Sequence, residues 1–224
     1  MAHDFTSADL GPEIAMNQAE VPQQIEYING QEVLVIGDPA GYAEFNHQQG
    51  DNPYGYAEDC GLVSCQDVLN QFGVQVSETD VVSFASQHGL CDIAEADPSQ
   101  NGGTTMEQQA QILNDYGVPA HSESSGTLER LAAHIEQGNG VIIEANAGVL
   151  WNDSRYFDQG NPNHAVTATG VVRDPASGQI EGFYINDSGS GESAKFVDAN
   201  TMQQAWEDNG GQSVVTDISH TTYP

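Results

Sequence analysis

The spacing of apolar residues changes character along the chain. Near the start, "QIEYINGQEVLVIGD" (24–38) carries alternating and apolar runs on both sides of Asn29-Gly30. That dipeptide suits a two-residue turn in which both central positions need positive φ, so the stretch predicts a β-hairpin. From Cys60 onward the period lengthens. Leu62, Cys65, Leu69 and Phe72 recur at helical spacing until Gly73 ends the run. Ser77 with Asp80 reads as an N-cap opening a second helix through Val81, Phe84 and Ala85. Thr105 with Gln108 makes a capping-box pair, Met106, Ala110 and Leu113 form the buried stripe behind it, and Gly117 stops it. A fourth helix, "TLERLAAHIEQG" (127–138), sets Leu128, Leu131, Ala132 and Ile135 on one face. Beyond it the pattern becomes extended: residues 140–151, 164–174, 180–189 and 212–218 read as strands. Between the last two, Asp198 caps a short helix containing Met202, Ala205 and Trp206. Helices first and strands second predict an α+β fold with segregated layers.

Composition adds limits to that picture. A chain of 224 residues has enough apolar content for one sizeable core. Residues 1–44 divide off as an N-terminal arm and hairpin, either an ordinary strand pair or a removable propeptide, and residues 45–224 form the main domain. The first ~20 residues are polar without a helical stripe, as loose termini are. Thirty-three acidic residues face only four basic ones, a formal net charge of −29. Such a balance argues against nucleic acid and anionic membranes, which need clustered Lys and Arg. It fits a well-solvated surface, a high-salt or extracellular setting that screens self-repulsion, or a cationic substrate or partner. No apolar run of 18 residues occurs, so no membrane insertion is expected. No basic region followed by an apolar stretch marks a classical signal peptide.

Three cysteines, Cys60, Cys65 and Cys91, are too few for a disulfide scaffold and leave at least one free thiol. Cys60 stands where the first helix begins, where unpaired N–H groups favour a thiolate. The flanking Glu58 and Asp59 oppose that, unless Asp59 caps the helix. Cys65 falls on the apolar helix face. It packs in the core or pairs with Cys91. A zinc site from the cysteines and a His lacks the second matching ligand pair. Asp153 and Asp158 lie in a loop with the composition of turns and without a calcium-loop pattern, so neither metal nor cofactor is expected. A thiol nucleophile needs a His as base and a third group to orient it. Of seven histidines, His3 lies in the arm, His47 in the loop before Cys60, His121 in a polar loop and His220 near the C-terminus, while His88 and His134 are helical. His164 differs because it opens a strand. Asp187 ends the next predicted strand. If the two strands pair over the "DPASGQ" turn, both residues reach the same end of the sheet, neighbours across the ladder.

"DCGLVSCQDVLNQFGV", "GGTTMEQQAQILNDYGV", "NHAVTATGVV" and "FYINDSGSG" together resemble the papain-like cysteine peptidases, in the branch similar to the bacteriocin-processing, double-glycine-leader peptidases. The closing "SAKFVDANTMQQAWEDNGGQSVVT" is similar to that branch's last strand–helix–strand. The resemblance implies a papain-like fold and makes residues 45–224 a cysteine hydrolase domain, with Cys60 as nucleophile, His164 as general base and acid, and Asp187 as the orienting carboxylate. The family also places a glutamine shortly before the Cys to stabilise the oxyanion. Six positions before Cys60 this chain has Tyr54 instead, which leaves Gln49 or Asn52 as candidates. The expected protein is thus a monomeric peptidase acting on a peptide or protein substrate, in a bacterial cytoplasm or exported by a signal-independent route. Two alternatives stay open. One is a glutamine deamidase or transglutaminase-like toxin domain using the same triad. The other is a non-catalytic domain that keeps the fold to bind peptides.

Overall fold

A computed structural model describes residues 20–221. The expected loose arm therefore lies, but for its last residue or two, outside the described residues. Among the described residues the α-helices are α1 (Pro39–Tyr42), α2 (Cys60–Gln71), α3 (Glu78–His88), α4 (Met106–Asp115), α5 (Leu128–Glu136), α6 (Ala147–Leu150) and α7 (Ala199–Ala205). The strands among them are β1 (Gln23–Ile28), β2 (Gln31–Gly37), β3 (Ala120–Glu123), β4 (Asn139–Ala145), β5 (His164–Arg173), β6 (Ile180–Asp187), β7 (Glu192–Asp198) and β8 (Ser213–Ser219). The mixed helix and antiparallel-sheet architecture is the expected one, with helices gathered in the first half and sheet mostly in the second.

Local chemistry explains most element ends. Asn29 and Gly30 take φ of 52° and 83°, the left-handed values a two-residue hairpin turn requires. Both capping boxes form: Ser77 with Asp80 at the start of α3, and Thr105 with Gln108 at the start of α4. The Asp198 carboxylate accepts from the Thr201 N–H to start α7.

All strands join one antiparallel sheet in the order β1-β2-β5-β4-β8-β3, with β6 between β5 and β7. The hairpin β1–β2 is continuous with this sheet, because Leu34–Gly37 pair with Gly170–Arg173 of β5. The helices do not stay on one side. Leu62, Cys65, Leu69, Val81 and Leu113 from α2, α3 and α4 pack with Ile142, Ala165 and Val214. On the opposite face Leu131, Ile135, Met202 and Trp206 from α5 and the α7 region pack with Val141, Ile143 and Val166. Covering both faces is why β4 and β5 read as continuous apolar runs rather than as clean alternation.

Three local expectations are corrected. Residues 140–151 are not one strand. β4 stops at Ala145, and the Asn146 side chain accepts from the Val149 N–H to start α6. His121 lies in strand β3, not in a loop. The β5–β6 ladder is displaced by two residues from direct His164–Asp187 opposition: Thr167 faces Asn186, so Asp187 continues toward Val166. The one-residue irregularities beside Gly170 and Arg173 cancel, since Arg173–Ile180 and Thr167–Asn186 share one register, so the offset is set by where the connecting turn is centred.

Candidate active site

Cys60 is the first residue of α2, part-exposed at the floor of a cleft. The Asp59 backbone carbonyl accepts the N–H groups of Leu62 and Val63 at 2.9 and 3.0 Å, which winds the first turn. The helix start meets the loop before α4 so closely that a Cβ at Gly61 would collide with Thr104 and Gln109. The Cys60 Sγ receives the Ala165 N–H at 3.4 Å. The sulfur is thereby held between the start of α2 and the start of β5.

His164 and Asp187 meet diagonally across the β5–β6 pair. His164 Nε2 lies 2.8 Å from Asp187 Oδ1, with the two residues 5% and 0% exposed. That leaves Nδ1 for the hydrogen bond to Cys60. Asp187 is itself fixed: Trp151 Nε1 donates to Oδ2 at 2.7 Å, and the N–H groups of Gly189 and Ser190 donate to Oδ1 at 3.1 and 3.2 Å. The Trp151 ring lies 5.2 Å from the imidazole, and a Cβ at Gly189 would strike both rings. These constraints restrict His164 to one orientation.

The charges follow from the packing. Burial alone would raise the Cys60 thiol, but the His164 imidazolium and the N–H groups of Ala165 and Gly61 outweigh it and bring the thiol below its ordinary value. Burial works against charge on His164 too. Asp187 and Cys60 overcome it and lift the imidazole from 6.5 to about 10. Burial opposes ionisation of Asp187, and the bonds from His164, Trp151 and Ser190 still hold its carboxyl well below the usual range. All three shifts run toward a thiolate–imidazolium pair steadied by a carboxylate.

A second buried network adjoins the nucleophile. Asp59, fully buried, does not cap α2 with its side chain. Its Oδ2 instead accepts from Asn52 Nδ2 at 3.1 Å, and its carboxyl contacts that of Glu78. Glu78 also accepts from His47 Nε2 at 2.6 Å, Gly50 N–H at 3.0 Å and Asn52 Nδ2 at 2.9 Å. Two carboxyls in contact share a proton. Burial and Glu78 push Asp59 up, whereas His47, Asp59 and Asn52 outweigh burial and pull Glu78 down. The proton therefore rests on Asp59, so the residue beside Cys60 adds little opposing charge. No sequence signal tied Glu78 or Trp151 to the site, since each joins it only through the fold.

The two oxyanion candidates part company. Gln49 lines the cleft with Cys60, its Nε2 donating to the Ala57 carbonyl at 2.7 Å and its Oε1 accepting from Ser188. Asn52 turns its amide away toward Tyr56, Asp59 and Glu78. Cys65 and Cys91 are buried, separate and unpaired. Cys65 contacts the Gln109 carbonyl and Cys91 contacts Ser86. Among the described residues no group of three or more His, Cys, Asp or Glu could hold a metal ion, and no helix is long and apolar enough to cross a membrane. Asp153 caps a turn and binds the Arg155 guanidinium.

The cleft has two parts around Cys60. One, of about 470 Å³, opens among Gln49, Trp151, Tyr156 and Gly189. The other, of about 160 Å³, lies between α4 and the β4–β5 pair. A further cavity of about 530 Å³ beside His47 and Glu78 does not reach Cys60.

With this geometry in place, residues 34–214 match the Peptidase C39-like family. The chain belongs to that family. A crystal structure of a C39-like peptidase from Bacillus anthracis superposes with a TM-score of 0.53 at 16% identity, covering 77% of this chain and 98% of that one. At that identity the likeness speaks for the fold alone, and it is with the family match that it supports the papain-like cysteine peptidase superfamily. Among curated proteins none matches. The C39-like match spans α2, β5 and β6 together, the three elements that carry Cys60, His164 and Asp187.

Proposed function

We propose that this C39-like protein is a cysteine peptidase that cleaves a peptide bond through an acyl-enzyme on Cys60. The observation that carries the reading is the buried His164–Asp187 pair at 2.8 Å, with the Cys60 sulfur at a helix start beside it.

The Cys60 thiolate attacks the scissile carbonyl carbon, and the π electrons move to oxygen. The backbone N–H of Cys60 and the amide of Gln49 supply positive ends to that oxyanion. As the tetrahedral species collapses, the C–N bond breaks and the His164 imidazolium protonates the leaving amine. The thioester then takes up water. His164, now neutral, removes a water proton, the hydroxyl adds to the carbonyl, and the thiolate departs with the carboxylic acid released. Asp187 stabilises the imidazolium at each stage and keeps Nδ1 toward the sulfur.

The test is the rate of Cys60 alkylation by iodoacetamide from pH 4 to 9, mapped by mass spectrometry, in wild type and His164→Ala. Fast alkylation below pH 7 that is lost in the variant supports the reading. A rate no greater than that of a free thiol with pKa ~8.5 refutes it. Peptide-library cleavage then separates the chemistries. Ammonia release without chain cleavage would move the assignment to a deamidase.

A further inference from the structure

The smaller part of the cleft has a chemistry of its own. It adjoins Cys60 and His164 and is lined also by Glu58, Thr104, Met106, Gln109, Glu144 and Ala165. Glu144 stands on β4 directly opposite Ala165, the residue after His164. Its half-buried carboxyl forms no ion pair and accepts no side-chain hydrogen bond among the described residues. Burial, with Glu107 nearby, pushes that carboxyl above its usual value. Gln109 is 1% exposed. Its Nε2 donates to Thr104 Oγ1 at 3.0 Å, while its Oε1 has no partner at all among the described residues. Glu58, exposed, borders both parts of the cleft, and no Lys or Arg lines either one.

A buried acceptor without a donor is costly, and so is a carboxylate held near another without a counter-charge. The orphaned amide oxygen calls for a donor and the unpaired carboxyl for a counter-charge, and a basic side chain entering the pocket can supply both. Met106, 4% exposed, offers an apolar wall for an aliphatic stem. We propose that this pocket is a specificity subsite for a basic side chain, lysine or arginine, of a peptide substrate, with Glu144 as its counter-ion and Gln109 and Glu58 as further acceptors. The proposal rests on the cysteine-peptidase reading above. The net charge of −29 draws cationic peptides toward such a site at low ionic strength.

The experiment measures inactivation of the full chain by dipeptidyl chloromethyl ketones carrying lysine, norleucine or glutamate at each of the two positions, with iodoacetamide as the neutral reference. At one position lysine should outpace norleucine by about tenfold to a hundredfold, the worth of one hydrogen bond between charged partners. Glutamate should be slowest, and the lysine advantage should shrink with added salt. In Glu144→Gln the lysine-to-norleucine ratio should fall toward one. Because that ratio is read within a single protein, it does not depend on how much of the variant is active, and the wild-type comparison stands without it. Equal wild-type rates for lysine and norleucine at both positions, with iodoacetamide still fast, overturn the subsite alone. A lysine preference that survives in Glu144→Gln overturns it as well. Slow modification of Cys60 by every reagent, iodoacetamide included, overturns the peptidase reading and the subsite with it.

Discussion

Replacing Glu78 by glutamine should harm this protein far more than replacing Asp59 by asparagine, although the two carboxyls touch and both are buried. Glu78 collects His47 Nε2, the Gly50 N–H, Asn52 Nδ2 and the Asp59 carboxyl on its two oxygens. Its side chain is only 2% exposed. A glutamine keeps one acceptor oxygen and turns an NH₂ group toward either His47 or the Gly50–Asn52 pair, so donor faces donor. Removing one partner of a buried charged pair costs about 3–5 kcal/mol, and the oxygen that glutamine retains points to the lower end, about 3 kcal/mol. With a urea m-value of about 2 kcal/mol/M, the unfolding midpoint at pH 7 should drop by about 1.5 M. Asp59→Asn, by contrast, replaces a protonated carboxyl with an amide of similar shape that still donates to Glu78 and accepts from Asn52, and should shift stability by less than about 1 kcal/mol. The pH dependence has a definite sign. Glu78 is held below its ordinary 4.5, so its contribution is present above that value and is lost as pH falls through the lowered native one. Asp59 is raised above its ordinary 3.8, so the native state holds a proton that the unfolded chain has released, and stability falls as pH rises between the two values. Asp59→Asn should flatten that decline. If Asp59→Asn proves as damaging as Glu78→Gln, or Glu78→Gln is silent, the proton does not sit where the geometry puts it.

Further outcomes follow from other parts of the fold. Gln49→Ala should lower turnover by about 10²–10³-fold while leaving a reactive thiol, measured by peptide cleavage beside iodoacetamide alkylation. Asn52→Ala should instead lower the urea midpoint, since its amide serves Asp59 and Glu78 rather than the cleft. Deleting residues 1–37 should expose aggregation-prone sheet, because β2 covers β5 and carries Val33 and Val35, 2% and 0% exposed. Retained solubility and an unchanged melting temperature would support a removable segment. Asp67, fully buried against Asn186, is pushed up to about 7 by burial. Its share of stability should therefore decline as pH rises from its ordinary 3.8 to about 7, and Asp67→Asn should make the slope in urea titrations shallower, leaving the share that Asp59 contributes.

What could be read in the chain beforehand was whatever depends on neighbours in sequence. The two capping boxes, the Asn29-Gly30 turn and the apolar stripe behind Cys60 are local, and each element appears where its signal lies. The ordered His-strand and Asp-strand were legible as candidates because a hairpin brings its two far ends together whatever its fine register. The register itself was not legible: where the β5–β6 turn is centred offsets the ladder by two residues, and the period-two pattern is indifferent to a shift of two. Residues 146–151 were misread as strand because "VIIEANAGVLW" carries apolar residues throughout, although Asn146 ahead of Ala-Gly-Val-Leu was an available N-cap signal. That error hid Trp151, whose indole N–H reaches a carboxylate 36 residues away. Glu78 was hidden for the opposite reason. An acid in the first turn of a helix is explained by the helix dipole alone, and nothing local reveals that this one is buried and receives four donors. Glu144, a single polar position within the apolar run of β4, follows the same logic. The orienting partners and the proposed subsite lie on elements far apart in sequence, and they become visible only when both faces of the sheet are covered and each buried polar atom must be matched with a partner.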